Sequence, residues 1–284
     1  KDFSKKAKTG SYGAVLYLVN GSNIILTNIT SSAAQDILAA FSDHLAAKQA
    51  ALRYGLNETA VLHRLAPVHA HLRVLYNATQ GYMFFFMLGL AMVAFQQGLI
   101  FAVGASSLYE VEHPGEESAY RTWQIVLVKT IVYWLLGMMS YGLVVVVVTQ
   151  GLEIPLGAPL SQLLVLASIF ILAVTAFCFF FSSFFPDELP FVRAAILYPV
   201  PSFIFSGYTW PTESMGEGMQ LASQFFPLSH FSNTVRELFL IGSSPHYWES
   251  IEKLAALAVG FFLVGGVLYQ RRLKLSRARE TQTA

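Results

Sequence analysis

Long apolar runs alternate with short polar stretches along this 284-residue chain. Charged residues are absent between Arg73 and Glu110, Lys129 and Glu153, Glu153 and Asp187, Arg193 and Glu213, and Lys253 and Arg271. A helix crossing the roughly 30 Å hydrocarbon layer needs about 20 apolar residues. Tested by that length, the gaps predict five spans: about Tyr82 to Gly104, Thr130 to Gln150, Leu160 to Phe181, Ala194 to Tyr208, and Leu254 to Tyr269. The fourth is short and holds Pro199 and Pro201, which remove backbone donors and mark either hinge positions or ordinary kinks. The fifth becomes long enough if Lys253 and Arg271 snorkel to the two interfaces.

Residues 1–78 follow a different pattern. Ala14 to Val19 is a β-favouring run closed by the turn signal Asn20-Gly21-Ser22-Asn23. Ser31 to Arg53 reads as one amphipathic helix, with Ile37, Leu38, Phe41, Leu45 and Leu52 at helical spacing. The expected fold is therefore a membrane-embedded, all-α helical bundle over residues 79–284, preceded by a partial α/β extracytoplasmic domain over residues 1–78.

Composition points the same way. The chain is 55% hydrophobic and 12% charged, with a mean hydropathy of +0.52, whereas a soluble fold must clothe itself in polar side chains. With 18 basic against 17 acidic residues there is no concentrated basic face for nucleic acid. The single cysteine, Cys178, excludes an internal disulfide framework and a cysteine metal cluster. His63, His69 and His71 lack a cysteine or carboxylate at ligand spacing, and Pro67 interrupts them, so they read as surface histidines and no metal site is expected. No lysine follows a glycine, so no phosphate-binding loop is encoded. The chain is expected to bind no cofactor and to be no enzyme, with any ATP chemistry supplied by another subunit.

Charge also orients the chain. The stretch Arg271 to Arg279 carries five basic residues in nine, which places the C-terminus in the cytoplasm. Alternation then puts the Ser106 to Gln124 and Ser183 to Arg193 loops inside, and the Gly151 to Pro159 loop and residues 1–78 outside. An external N-terminal part needs a signal or an earlier helix, so a sixth span before Lys1 is expected.

Two polar segments stand out. The loop beginning at Ser106 is long and acidic, and as an interfacial helix it would present Glu110, Glu117 and Arg121 to a cytosolic partner; as a plain loop it would be held by local ion pairs. The stretch from Gly207 to Trp248 is apolar yet external, which suggests amphipathic helices returning into the outer interface. Its polar members, Glu213, Glu217, His230, Asn233, Arg236 and Glu237, either line a substrate path or include an Arg236–glutamate pair that folds the segment. Phe84, Phe85, Phe86, Phe95, Phe179, Phe180 and Phe181 suit an apolar substrate or, for most of them, lipid.

In order, Lys1-Asp2-Phe3-Ser4, Thr9-Gly10, Asn20-Gly21-Ser22-Asn23, Arg73-Val74-Leu75-Tyr76-Asn77 and Gly104-Ala105-Ser106-Ser107 resemble the ABC-2 type export permeases. The most specific stretch is Phe205-Ser206-Gly207-Tyr208-Thr209-Trp210-Pro211-Thr212-Glu213-Ser214-Met215, followed by Phe226-Pro227-Leu228-Ser229-His230-Phe231 and Arg236-Glu237-Leu238. The resemblance implies a six-span permease in the bacterial inner membrane, with cytoplasmic termini and a large external domain between its first two spans. It also implies a dimer with a second copy or a close paralogue, two ATP-binding subunits or a fused ATPase carrying ATP and Mg, and contact with membrane lipids, and it leaves room for a periplasmic adaptor. The implied activity is export of a hydrophobic or amphiphilic compound. Carried over by position, residues 106–121 form the coupling helix, with Ser107, Glu110, Glu112, Glu117 and Arg121 as its contacts, and residues 211–242 form external re-entrant helices near the exit. The competing reading is a membrane receptor or scaffold with a ligand-binding external domain and a cytosolic docking loop.

Overall fold

The computed structural model describes residues 13–20, 24–54, 68–75, 82–113 and 121–283. The chain divides into two units, Lys1–Tyr82 and Met83–Ala284. In the first, strand β1 (Gly13–Asn20) pairs in parallel with β2 (Val68–Leu75), from Gly13 opposite Val68 to Asn20 opposite Leu75. Parallel neighbours need a crossover, commonly a helix. Helix α1 (Ile24–Tyr54) supplies it and packs against both strands. It starts at Ile24, a full two turns before the expected Ser31, and β2 was not expected.

The second unit is helical. In order come α2 (Tyr82–Glu112), α3 (Thr122–Val146) with a π turn at Val147–Gly151, α4 (Leu160–Ser182), α5 (Glu188–Leu197) and α6 (Pro199–Phe205). A 3-10 turn (Thr212–Ser214), α7 (Glu217–Ser223), α8 (Pro227–Leu240) and the long α9 (Tyr247–Thr283) complete it. Among the described residues, five segments are long and apolar enough to cross a membrane: Phe84–Glu112, Trp123–Gly151, Leu160–Ser182, Glu188–Phe205 and Tyr247–Ser276. The protein is a multi-pass membrane protein.

The helices overrun the charge-free gaps. Helix α2 continues through Ser106, Ser107 and Glu110, so the described part of the 106–121 segment extends the first span instead of starting a separate helix. The fourth span runs from Glu188 to Phe205, earlier than Ala194 to Tyr208, and is built from α5 and α6. Pro199 opens α6 at its first position, where a missing N–H costs no hydrogen bond. Pro201 follows inside the same short helix.

Helix α4 is the centre. It is apolar all round, as a buried helix must be, and 67% of its most apolar window is buried, against 22% for α3 and for α9. It packs most extensively on α9, then on α3 and α8. Phe170 stacks on Phe231 of α8 with ring centroids 3.9 Å apart. Lipid tails are as apolar as leucine, so close fit and not water exclusion holds such helices together. The aromatic residues expected to face lipid do much of this fitting: Phe85, Phe95 and Phe179 are buried, and Phe84, Phe180 and Phe181 pack against the core. Phe86 meets Phe203 edge-on. The exposed apolar residues instead include a row on α3 with Ile131, Leu135, Met139 and Val146.

The connection between α3 and α4 docks on the end of α8, where the Gly157 and Ala158 N–H groups donate to Phe239 and Leu238 carbonyls at 2.8 and 2.9 Å. Gly242 ends α8 with a φ of 86°, and a Cβ there would sit 2.9 Å from the Gly157 oxygen. Both the left-handed turn and the close approach require glycine.

Candidate functional site

Two polar clusters lie at opposite ends of the second unit. The first gathers the end of α2, the start of α3 and the distal part of α9. Along α2, Ser106 and Ser107 lie four and three residues before Glu110 and so share its face. On α9, Tyr269, Arg272 and Ser276 repeat at the same spacing. The Lys129 ammonium of α3 reaches the Glu110 carboxylate at 2.6 Å, with side chains only 10% and 8% exposed. Lys129 also donates to the Ser106 carbonyl and hydroxyl, both at 2.7 Å. The Tyr269 hydroxyl lies 3.1 Å from the Ser107 carbonyl oxygen and donates to the Glu110 carboxylate. Ser107 itself donates to Val103 within its own helix at 2.7 Å.

Around this core run further ties. Arg272 donates to the Ser182 and Pro186 carbonyls at 2.9 and 2.7 Å, holding α9 to the end of α4. Ser276 donates to the Val111 carbonyl. The exposed Glu112 carboxylate accepts the Glu188 N–H at 2.9 Å, capping α5 from α2. Ionisable groups at membrane depth are costly unless they pair. Here they pair across helices, so this end of the bundle is tied together by directional bonds.

The expected coupling residues therefore divide. Ser107 and Glu110 come together inside the bundle, and Glu110, expected to face a partner, is turned inward because α2 stays helical past Gly104. Glu112 and Arg121 stay exposed, and the Arg121 N–H donates to Gln124 at the start of α3 at 3.0 Å. Glu117 lies outside the described residues. Sequence alone does not single out Lys129, which stands at the edge of an apolar gap, or Tyr269, which stands at the end of a span.

The second cluster joins the start of α2, the turn after α6 and helix α8. Arg236 is 5% exposed, and its guanidinium carbon lies 5.4 Å from the Phe85 ring centroid and 5.0 Å from that of Tyr208. One turn earlier, Asn233 donates to the Ser206 carbonyl at 2.7 Å. Among the described residues no carboxylate lies within ion-pair distance of Arg236, so the folding pair with glutamate is not formed there. Glu237 turns away and accepts the Ser244 hydroxyl at 2.5 Å. Glu213 lies in the 3-10 turn Thr212–Ser214. His230 is apart from these, its Nε2 donating to the Gln224 carbonyl at 3.0 Å, and burial holds its imidazole below the ordinary histidine range.

Among the described residues no three His, Cys, Asp or Glu side chains group as metal ligands. His69 and His71 lie in β2, and His63 lies outside the described residues.

Residues 1–269 match the model of a family described as ABC-2 family transporter protein. The chain belongs to that family. It is 26% identical over 123 residues to a protein named "Probable multidrug ABC transporter permease YbhS" in Escherichia coli strain K12, and equally to its counterpart in Escherichia coli O157:H7. Those matches cover 43% of this chain and 33% of each relative. No solved structure matches. In this ABC-2 transporter membrane subunit, the paired cluster around Glu110 ties the helix ends on either side of the loop between α2 and α3.

Proposed function

We propose that this chain is the permease of an ABC exporter, moving a hydrophobic or amphiphilic compound out of the cytoplasm on ATP hydrolysed by partner subunits. The observation that carries this reading is the Glu110–Lys129–Tyr269 cluster. It joins α2, α3 and α9 next to the α2–α3 loop, so a push on that loop reaches three spans at once. In this reading the loop faces the cytoplasm and meets the ATP-binding subunit, with Glu112, Glu117 and Arg121 as its contacts. Glu110 acts as the inner anchor of that contact. The basic end of α9 is cytoplasmic, and the β1–α1–β2 unit lies outside. The exposed apolar row of α3 meets lipid or a second permease copy.

Nucleotide must bind the two arrangements of such a machine unequally to drive it. ATP closes the partner subunits, the loop transmits the movement, and the anchored ends of α2, α3 and α9 shift as a set. Pro199, where the fourth span changes from α5 to α6, is the bending point of that span, with Pro201 beside it.

The test is co-expression with the ATP-binding subunit. The two purify as a complex whose ATP hydrolysis is stopped by vanadate, and reversing charge at both Glu112 and Glu117 weakens the complex and lowers hydrolysis. A chain that forms no such complex, and whose external unit binds a ligand without nucleotide, is a receptor or scaffold.

A further inference from the structure

Among the described residues of the second unit, Arg236 is a buried charge with no ion-pair partner. A guanidinium keeps its charge on burial and carries donors that need acceptors. Phe85 and Tyr208 satisfy the faces of the cation, but rings accept nothing in the plane. Arg236 Nε and Nη1 are buried with no hydrogen-bond partner. The Tyr208 hydroxyl beside them is also buried with no hydrogen-bond partner. Glu237, next in sequence, is committed to Ser244. The place therefore has buried donors in excess and, among the described residues, a positive charge with no counter-charge. A buried ion without its partner costs more than an apolar side chain filling the same space, so folding alone does not account for an arginine here.

We propose that Arg236 anchors an anion site at this end of the bundle, taking the carboxylate or phosphate head of an amphiphile whose apolar part rests among the neighbouring aromatic rings. The head group accepts from Arg236 and from the Tyr208 hydroxyl. Asn233, held by the Ser206 carbonyl, keeps α8 against the turn that carries Tyr208. This rests on the exporter reading and narrows it to anionic amphiphiles, with the head supplied by a transported compound or by a membrane lipid.

The experiment measures binding to the full chain in phosphatidylcholine nanodiscs without nucleotide, so that it stands apart from transport. The probes are decanoate, decyl phosphate and decanol, read by the shift in thermal unfolding and by intrinsic fluorescence. Wild type is expected to bind both anions about tenfold or more tightly than the alcohol, and Arg236→Gln to bring all three within about twofold. Without probe, Arg236→Gln is expected to melt at or above the wild-type temperature, since it removes an uncompensated charge. Adding phosphatidylglycerol to the discs weakens decanoate binding to wild type if a lipid head competes for the site, and leaves it unchanged if only free amphiphile enters; the anion preference holds in either case. Equal binding of the three probes to wild type overturns the proposal, as does a preference that survives in Arg236→Gln. So does a lower melting temperature of Arg236→Gln without probe, which would mean a structural counter-charge such as a carboxylate of a second copy. Failure of ATP-driven transport with the anion preference intact would strike the exporter reading alone.

Discussion

Glu110→Gln is expected to destabilise the protein by about 3 kcal/mol or more, because removing one member of a buried pair leaves the other charge uncompensated. Lys129 keeps its two bonds to Ser106, which places the loss at the lower end of the usual range. Lys129→Met costs a similar amount, since among the described residues the Glu110 carboxylate then keeps only Tyr269. The double variant Glu110→Gln with Lys129→Met costs clearly less than the sum of the two, by about 1 to 3 kcal/mol, because it leaves no lone charge. Thermal or denaturant unfolding of the four proteins in one detergent measures the cycle. Strict additivity would show that the pair is not the link between α2 and α3. The cluster also predicts a functional effect separable from stability. In the complex with the ATP-binding subunit, the double variant keeps nucleotide hydrolysis but transports less per ATP, since α2 and α3 no longer move as one.

Gly265→Leu is expected to be the most disruptive single change in the bundle. A Cβ at Gly265 would lie 2.6 Å from the Phe180 nitrogen and 2.8 Å from its Cα. Those are backbone atoms of α4, the helix that α9 packs on most extensively, and a backbone cannot rotate away as a side chain tip can. Gly265→Ala alone costs about 1 to 3 kcal/mol by overpacking, and leucine costs more because the two helices must separate. The neighbouring Gly266 is the internal control, with nothing within 4 Å of a Cβ placed there. Gly266→Ala gains up to about 1 kcal/mol of helix preference. Unfolding of both alanine variants decides the matter: if Gly266→Ala is as damaging as Gly265→Ala, the loss comes from the glycine composition of α9 and not from its contact with α4.

Much of the second unit was legible because the bilayer imposes a length on apolar runs. The third span was placed to within a residue, since α4 is apolar on every face and has neutral ends. The other spans were drawn too short wherever a charge lay inside a helix. Glu110 and Lys129 ended two predicted gaps, yet they sit within α2 and α3 because each neutralises the other. One sequence shows two separate charges, and only the fold shows a pair. The same blindness hid Tyr269, a tyrosine among apolar neighbours whose hydroxyl finds Glu110 from a distant part of the chain. In the first unit, β1 was visible as a continuous apolar run. β2 alternates Val68, Ala70, Leu72 and Val74 with His69, His71 and Arg73. That period of two is a strand signal, but with His69 and His71 read only as surface histidines it stands without a recognised partner strand in the sequence. At the other end, Arg236 and Asn233 were legible as polar residues in an apolar segment. Their company of Phe85 and Tyr208 was not, since it depends on how α2, α6 and α8 meet.

The exporter reading stands or falls on direction and energy. The measurement is accumulation of a fluorescent amphiphile by inside-out membrane vesicles containing the full-length protein and its ATP-binding subunit. The expected result is uptake that requires ATP, stops with vanadate, and falls in the Glu110→Gln/Lys129→Met variant while hydrolysis continues. Vesicles that hydrolyse ATP but accumulate no member of a panel of neutral, cationic and anionic amphiphiles, with the double variant indistinguishable from wild type, would contradict it.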